Sequence, residues 1–172
     1  MDESSGIFSA DGAALVPAEV ADLDTLQARL GPQELLLDFF IEPGQIHIFL
    51  VQRDDLTLHR VEIADQQAFL ATLETLRHPG RPVAGENGMR DLFLAAAERL
   101  GGMILNPLGD LLDTVEHLYL VPNGALHSVP FPALRHAGRF LVETHRVTLI
   151  PTADLLVNRV NMPSERSGRT LV

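Results

Sequence analysis

The chain has 172 residues, 46% of them hydrophobic and 21% charged, which is long enough to bury a core and typical of a soluble globular domain. Its formal net charge of -10 argues against nucleic-acid binding, because phosphates and an acidic surface repel each other. It has no cysteine, so it can hold no disulfide, thiolate metal site or cysteine nucleophile of its own. Without a membrane-length apolar run or a basic leader, the sequence predicts a cytoplasmic protein with no membrane partner.

The first part of the chain predicts a helix followed by three strands. Residues 1–16 are small and polar, which is typical of a flexible terminus. Residues 17–30 place apolar side chains at helical spacing and stop at a Gly-Pro pair, so they predict an amphipathic helix. Three apolar stretches joined by short turns predict an antiparallel meander over 35–42, 46–52 and 56–63.

Helices predominate in the next part of the pattern. Asp65 is a typical N-cap and precedes a helix whose predicted buried face is formed by Phe69, Leu70, Leu73 and Leu76. After a loop at 79–88, a longer helix is predicted over about 89–104, with a further helical turn at 107–112. The last predicted elements are strands at 140–142 and 146–150 and a helix capped by Thr152 that ends near Met162.

The stretch 117–134 organises these elements. Leu118 to Val121 has the length and bulk of a buried central strand, and Pro122 ends it. Asn123-Gly124 supplies a tight turn, because these residues adopt positive φ at low cost. A compact apolar segment follows, in which prolines at 130 and 132 exclude a regular helix or a central strand.

This stretch resembles the CHAT domain, a caspase-like branch of the cysteine peptidases related to separase. The matching residues form an apolar strand followed by the motif Pro122, Asn123, Gly124, Leu126, His127, Pro130, Phe131 and Leu134. Leu105-Asn106-Pro107-Leu108 upstream also looks like the family's pattern, and the resemblance extends over roughly 17–172. It implies an α/β fold, with a mixed β-sheet flanked by helices, and no cofactor.

The resemblance implies three regions: a flexible N-terminus at 1–16, the N-terminal CHAT lobe at 17–162, and a linker with the start of a further lobe at 163–172. The family's catalytic His and Cys lie further towards the C-terminus, so this chain resembles the non-catalytic, pseudo-protease lobe. The implied partners are the C-terminal active lobe, a regulatory or sensor domain and a protein substrate, with self-association where the active lobe is absent. The alternative is a stand-alone interaction module that docks a sensor or substrate protein.

His127-Ser128 raises the hypothesis of a serine hydrolase with Asp110 or Asp113 as the third member. There is no Gly-x-Ser-x-Gly elbow, and Ser128 lies among prolines in an apolar segment. We therefore expect no catalytic residue here and interpret His127 as a mostly buried histidine that bonds to backbone and braces the turn.

The histidines also raise the hypothesis of a metal site. His47 and His59 are expected on neighbouring strands and on the same side of the sheet, but two imidazoles without a third ligand make a poor zinc site. Asp113, Glu116 and His117 lack a metal-binding order and are read as a helix end and a strand entry. The sequence thus predicts no metal site.

Arginines in the polar linker suggest proteolytic processing. Relatives such as separase cleave after arginine, so Arg166 or Arg169 is a candidate processing site. A plain interlobe loop is the favoured interpretation, because polar loops that contain arginine are common.

Overall fold

The fold is built on a five-stranded mixed sheet, seen in a computed structural model that describes residues 22–78 and 86–157. Its strand order is β3-β2-β1-β4-β7. The strands are β1 (Glu34–Glu42), β2 (Gln45–Val51), β3 (Leu56–Glu62), β4 (His117–Val121) and β7 (Arg146–Leu149). A separate two-stranded ribbon pairs β5 (Arg135–His136) with β6 (Arg139–Phe140). The predicted mixed α/β sheet is therefore confirmed.

The sheet is antiparallel at its beginning and parallel at its end. Strands β1, β2 and β3 form the predicted meander, and Gly44, with φ of +84°, makes the first turn. Strand β4 then pairs parallel with β1, and β7 parallel with β4. Every residue of β4 is buried, as its sequence predicted, although the middle position of the sheet belongs to β1.

Helices cover the two faces of this sheet unequally. The helices are α1 (Leu23–Gln27), α2 (Gln66–Arg77), α3 (Glu86–Ile104), α4 (Leu111–Thr114), α5 (Leu141–Thr144) and α6 (Asp154–Val157). Helices α2 and α3 pack on the face that carries Leu35, Leu37 and Phe39 and form the larger core with it. Helices α1 and α6 form a smaller cluster on the opposite face, around Leu36. None of the helices within 22–78 and 86–157 is both long and apolar enough to cross a bilayer.

Local signals explain the helix that follows the meander. The Asp65 carboxylate accepts from the Ala68 N–H at 2.9 Å, so the predicted N-cap of α2 is confirmed. Phe69 is buried as expected. Leu70 is 50% exposed, however, and the buried face continues through Thr72 instead. The prediction for Leu70 was wrong because the helix turns that side chain outward.

Two other predictions need correction. Helix α3 already begins at Glu86, inside the predicted loop at 79–88, and residues 79–85 lie outside the described part. The strand predicted at 140–142 is wrong, because β6 ends at Phe140 and α5 follows directly. The Phe140 N–H donates to the Glu143 carboxylate at 2.6 Å, which starts a helical turn where apolar residues alone favoured a strand.

Several predictions fall outside the described residues. These are the flexible terminus at 1–16, the linker and further lobe at 163–172, and the candidate processing residues Arg166 and Arg169. The helices predicted over 17–30 and from Thr152 to Met162 are described only in part, as α1 and α6.

Candidate functional site

The motif after β4 starts with a turn that is anchored to the neighbouring strand. The side-chain oxygen of Asn123 accepts from the Ile41 N–H at 3.2 Å, so the turn is tied to β1. Gly124 has φ of +54°, a left-handed conformation that costs glycine little. From Gly124 to Ser128 the backbone forms a 3₁₀ turn, and Leu126 N–H donates to Asn123 C=O at 3.1 Å. The motif thus fixes how the chain leaves the buried strand.

The apolar members of the motif enter the larger core. Leu126, Phe131 and Leu134 are each fully buried. The Phe131 ring lies 5.3 Å from the ring of Phe39 on β1, measured between centroids. A second 3₁₀ turn at Phe131–Ala133 bends the chain where Pro130 and Pro132 exclude a longer helix. The segment therefore packs beneath the carboxyl ends of β1 and β4.

His127 differs from the sequence expectation. It was predicted to be mostly buried and bonded to backbone, but its side chain is exposed. It lines, with Ser128, an open cleft of about 450 Å³ between the first 3₁₀ turn and α2. The correction has a simple cause: the backbone groups of the turn bond to each other, and the turn directs residue 127 away from the core.

The serine-hydrolase alternative does not assemble. The Ser128 hydroxyl donates to the Ala125 carbonyl at 2.9 Å. Asp110 lies just before α4 and Asp113 lies within it, so both precede β4, whereas Ser128 follows β4. At about 3.3 Å per residue, the five residues of β4 separate the two ends by roughly 16 Å. No aspartate of that pair can therefore orient His127.

The two histidines of the meander do not face each other. His47 lies opposite Arg60 and His59 lies opposite Ile48 in the β2–β3 register. Directly opposed residues share a face and successive residues alternate, so His47 and His59 are on opposite faces. The expectation that they share a side was wrong because it assumed a different register. Within 22–78 and 86–157, no group of three potential metal ligands comes together.

A polar cluster at the amino ends of the parallel strands was not anticipated. His117, only 7% exposed, places one ring nitrogen 3.3 Å from the Glu34 carboxylate and the other 2.9 Å from the Thr148 hydroxyl. The Tyr119 hydroxyl donates to the same Glu34 oxygen at 3.0 Å, and its ring lies 4.1 Å from that of His117. The cluster joins β1, β4 and β7 side by side. Its sequence signal was a histidine and a glutamate that each begin an apolar strand.

Electrostatics show how this cluster holds its charge. Burial would raise the pKa of Glu34, but hydrogen bonds from Gly31 N–H and Tyr119, together with the nearby His117, outweigh it and lower the pKa below its usual value. The carboxylate therefore stays ionised. Carboxylate, imidazole and hydroxyl stand here in the order of a hydrolytic triad. Glu34 and His117 line an open cleft of about 600 Å³. Only 7% of His117 is exposed there, and its two ring nitrogens face Glu34 and Thr148, so the arrangement links three strands.

Comparison with known proteins gives a family match in the second half of the chain. Residues 94–172, just under half of the chain, match the family model described as CHAT domain, a caspase-like peptidase family. The matched part includes most of α3, β4 and the motif after it. No curated protein matches the chain. For residues 17–93, the resemblance to the same family stays a prediction.

Proposed function

We propose that this chain is the N-terminal, non-catalytic lobe of a CHAT-family, caspase-like cysteine endopeptidase. The observation that carries the proposal is a CHAT match over 94–172 in a chain without cysteine. A caspase-like peptidase needs a thiolate nucleophile and a histidine base, so both would come from an active lobe outside these residues. The role of this lobe is then to support the active lobe by providing a rigid sheet against which it packs.

The arrangement of polar side chains supports a scaffold rather than a catalyst. Ser128 is bonded to its own turn, the aspartates that might assist it are at the other end of β4, and His117 is buried. The motif residues instead tie β4 to β1 and fill the core. These contacts stabilise the strand junction but activate no nucleophile.

The first test is activity of the chain alone. We expect no turnover of arginyl or aspartyl fluorogenic peptides, because the chain has no thiol. The matched control is Ser128→Ala, which should give the same null result. Turnover that persists after contaminating proteases are removed, and that disappears in Ser128→Ala, would contradict the proposal and restore the serine hypothesis.

The second test is assembly. An active CHAT lobe carrying the His and Cys pair, expressed as a separate chain, should bind this chain in light-scattering titrations and gain peptidase activity in the complex. A stable complex should bury more than about 1,000 Å² in total. A chain that ignores every such lobe would instead favour the alternative, a stand-alone module that docks a sensor or substrate protein.

A further inference from the structure

The side of the meander that points away from α2 and α3, here called the outer face, carries large apolar side chains. Because residues alternate along a strand, this face takes Phe40 from β1, Phe49 from β2, and Leu56 and Leu58 from β3. Their exposed fractions are 50%, 38%, 45% and 36%, respectively. An antiparallel sheet can leave one face to solvent, but the side chains on such a face are normally polar. Here four large apolar side chains stand among the polar ones on the solvent side.

The outer face continues into a region on the same side of the sheet that helices α1 and α6 cover. Leu36 and Val51 are buried there beneath Leu26 of α1 and Leu156 of α6. The next row along the strands holds Asp38, Phe49 and Leu58. Of these, Phe49 and Leu58 belong to neither core cluster and stay exposed. The sheet therefore offers an apolar surface beside an existing helical layer.

Asp38 lies on β1, at the side of this surface that adjoins β4. It lies between Phe49 on β2 and Val121 on β4, and it is partly buried. Within the described residues its carboxylate accepts no hydrogen bond and joins no ion pair, and burial raises its pKa. An unpaired carboxylate among apolar side chains is costly and would become more so if an apolar partner covered it.

The charges around the surface favour a cationic partner. Glu42 and Glu62 are exposed at the far end of the same face, next to each other across β2. His47 is already engaged with Glu42 at 2.7 Å, which leaves Arg60 as the basic group among the meander's outward-facing residues. An apolar surface with an unpaired acid beside it and further acids at one end matches an amphipathic helix that carries positive charge.

We propose that the outer face docks an amphipathic helix of a partner protein, whose apolar stripe covers Phe40, Phe49 and Leu58 and whose arginine or lysine pairs with Asp38. Strands β1 to β3 span about 10 Å between their outer axes, which is the diameter of one helix. The cation would form a charge-assisted hydrogen bond with the Asp38 carboxylate and so replace the solvent that the docked helix displaces. The surface uses only the meander, so this proposal stands independently of the lobe assignment.

The test uses the full chain and two synthetic helical peptides. Both have leucine at i, i+3, i+4 and i+7; one carries arginine within that stripe and the other glutamine in its place. In fluorescence anisotropy titrations, the arginine peptide should bind the wild-type chain at least about tenfold more tightly, as expected for one charged hydrogen bond. On Asp38→Asn the two affinities should become equal.

Two variants separate docking on this face from general stickiness. Phe49→Ser should abolish binding of both peptides while its melting temperature stays close to that of the wild type. Leu70→Ser removes an apolar side chain of α2 that is 50% exposed, more than the 38% of Phe49, and should leave both affinities unchanged.

Several outcomes would overturn the proposal. Equal affinities on the wild type would remove the role of Asp38. Self-association in light scattering that Phe49→Ser abolishes would assign the face to a second copy. If neither peptide binds the wild-type chain and Phe49→Ser strongly lowers the melting temperature, the outer face is covered by other residues of this chain.

Discussion

Substituting Gly101 by alanine should destabilise the protein, contrary to the usual effect of this change within a helix. Alanine normally stabilises a helix interior by about 0.5–1 kcal/mol relative to glycine. At Gly101, however, an added Cβ would lie 2.0 Å from the backbone carbonyl oxygen of Arg135, and Cβ contacts below 3.0 Å essentially do not occur. Helix α3 and strand β5 would have to move apart by at least the 1.0 Å difference.

The neighbours make that movement costly. Both sides of the contact are backbone, and Arg135 is also held to Glu98, one turn earlier on α3, by an ion pair of 2.9 Å. Overpacking of this kind costs about 1–3 kcal/mol, so after the helical gain we expect a net loss of about 1–2 kcal/mol.

The adjacent glycine provides the matched control. A Cβ at Gly102 would meet only the side-chain nitrogen of Asn106, at an ordinary 3.5 Å. Gly102→Ala should therefore be neutral or stabilising by up to about 1 kcal/mol. Urea unfolding followed by circular dichroism gives both free energies of unfolding. If Gly101→Ala is at least as stable as Gly102→Ala, the close approach of β5 is not what requires a glycine there.

Other changes probe the core and the two perturbed carboxylates. Phe131→Ala should lower the free energy of unfolding by about 3–5 kcal/mol and Ser128→Ala by much less, and thermal melts that rank them in reverse would remove Phe131 from the core. The lowered pKa of Glu34 contributes stability that is complete above its usual pKa of 4.5 and is lost as the pH falls through its folded value, so acid titration of Glu34→Gln should show a shallower decline than the wild type. The raised pKa of Asp38 acts in the opposite direction, because ionisation in the folded state then costs stability. Asp38→Asn should melt higher than the wild type at pH 7, and equal stability of the two at every pH would refute this reasoning.

The parts of the fold that sequence reasoning predicted are those with local signals. The meander follows from apolar runs separated by turn residues, α2 from the Asp65 cap, and β4 from a short apolar run that ends at a proline. Each depends on residues within a few positions of one another. The turn after β4 could likewise be predicted, because Gly124 adopts its positive φ at low cost, although Asn123 stays extended and positive φ was expected of both.

The parts that were missed depend on partners distant in sequence. Glu34 and His117 meet only because β1 and β4 pair in parallel, and no local pattern fixes that register. The exposure of His127 depends on which way a 3₁₀ turn faces, and the exposure of Phe49 on which face the helices cover. Hydrophobicity alone does not show whether such a side chain is covered by this chain or by a partner.

The parallel pairing of β1 with β4 has a consequence for synthesis on the ribosome. Glu34 pairs with His117, 83 positions later, so one edge of β1 has no partner until β4 has been translated. At about 5–20 residues per second, that interval lasts roughly 4–17 s. During it, β2 can protect one side of β1, while the other exposes the backbone of the apolar run from Leu35 to Phe39. Nascent chains of this protein should therefore be substrates for holding chaperones, and overexpression should yield more folded product when they are abundant.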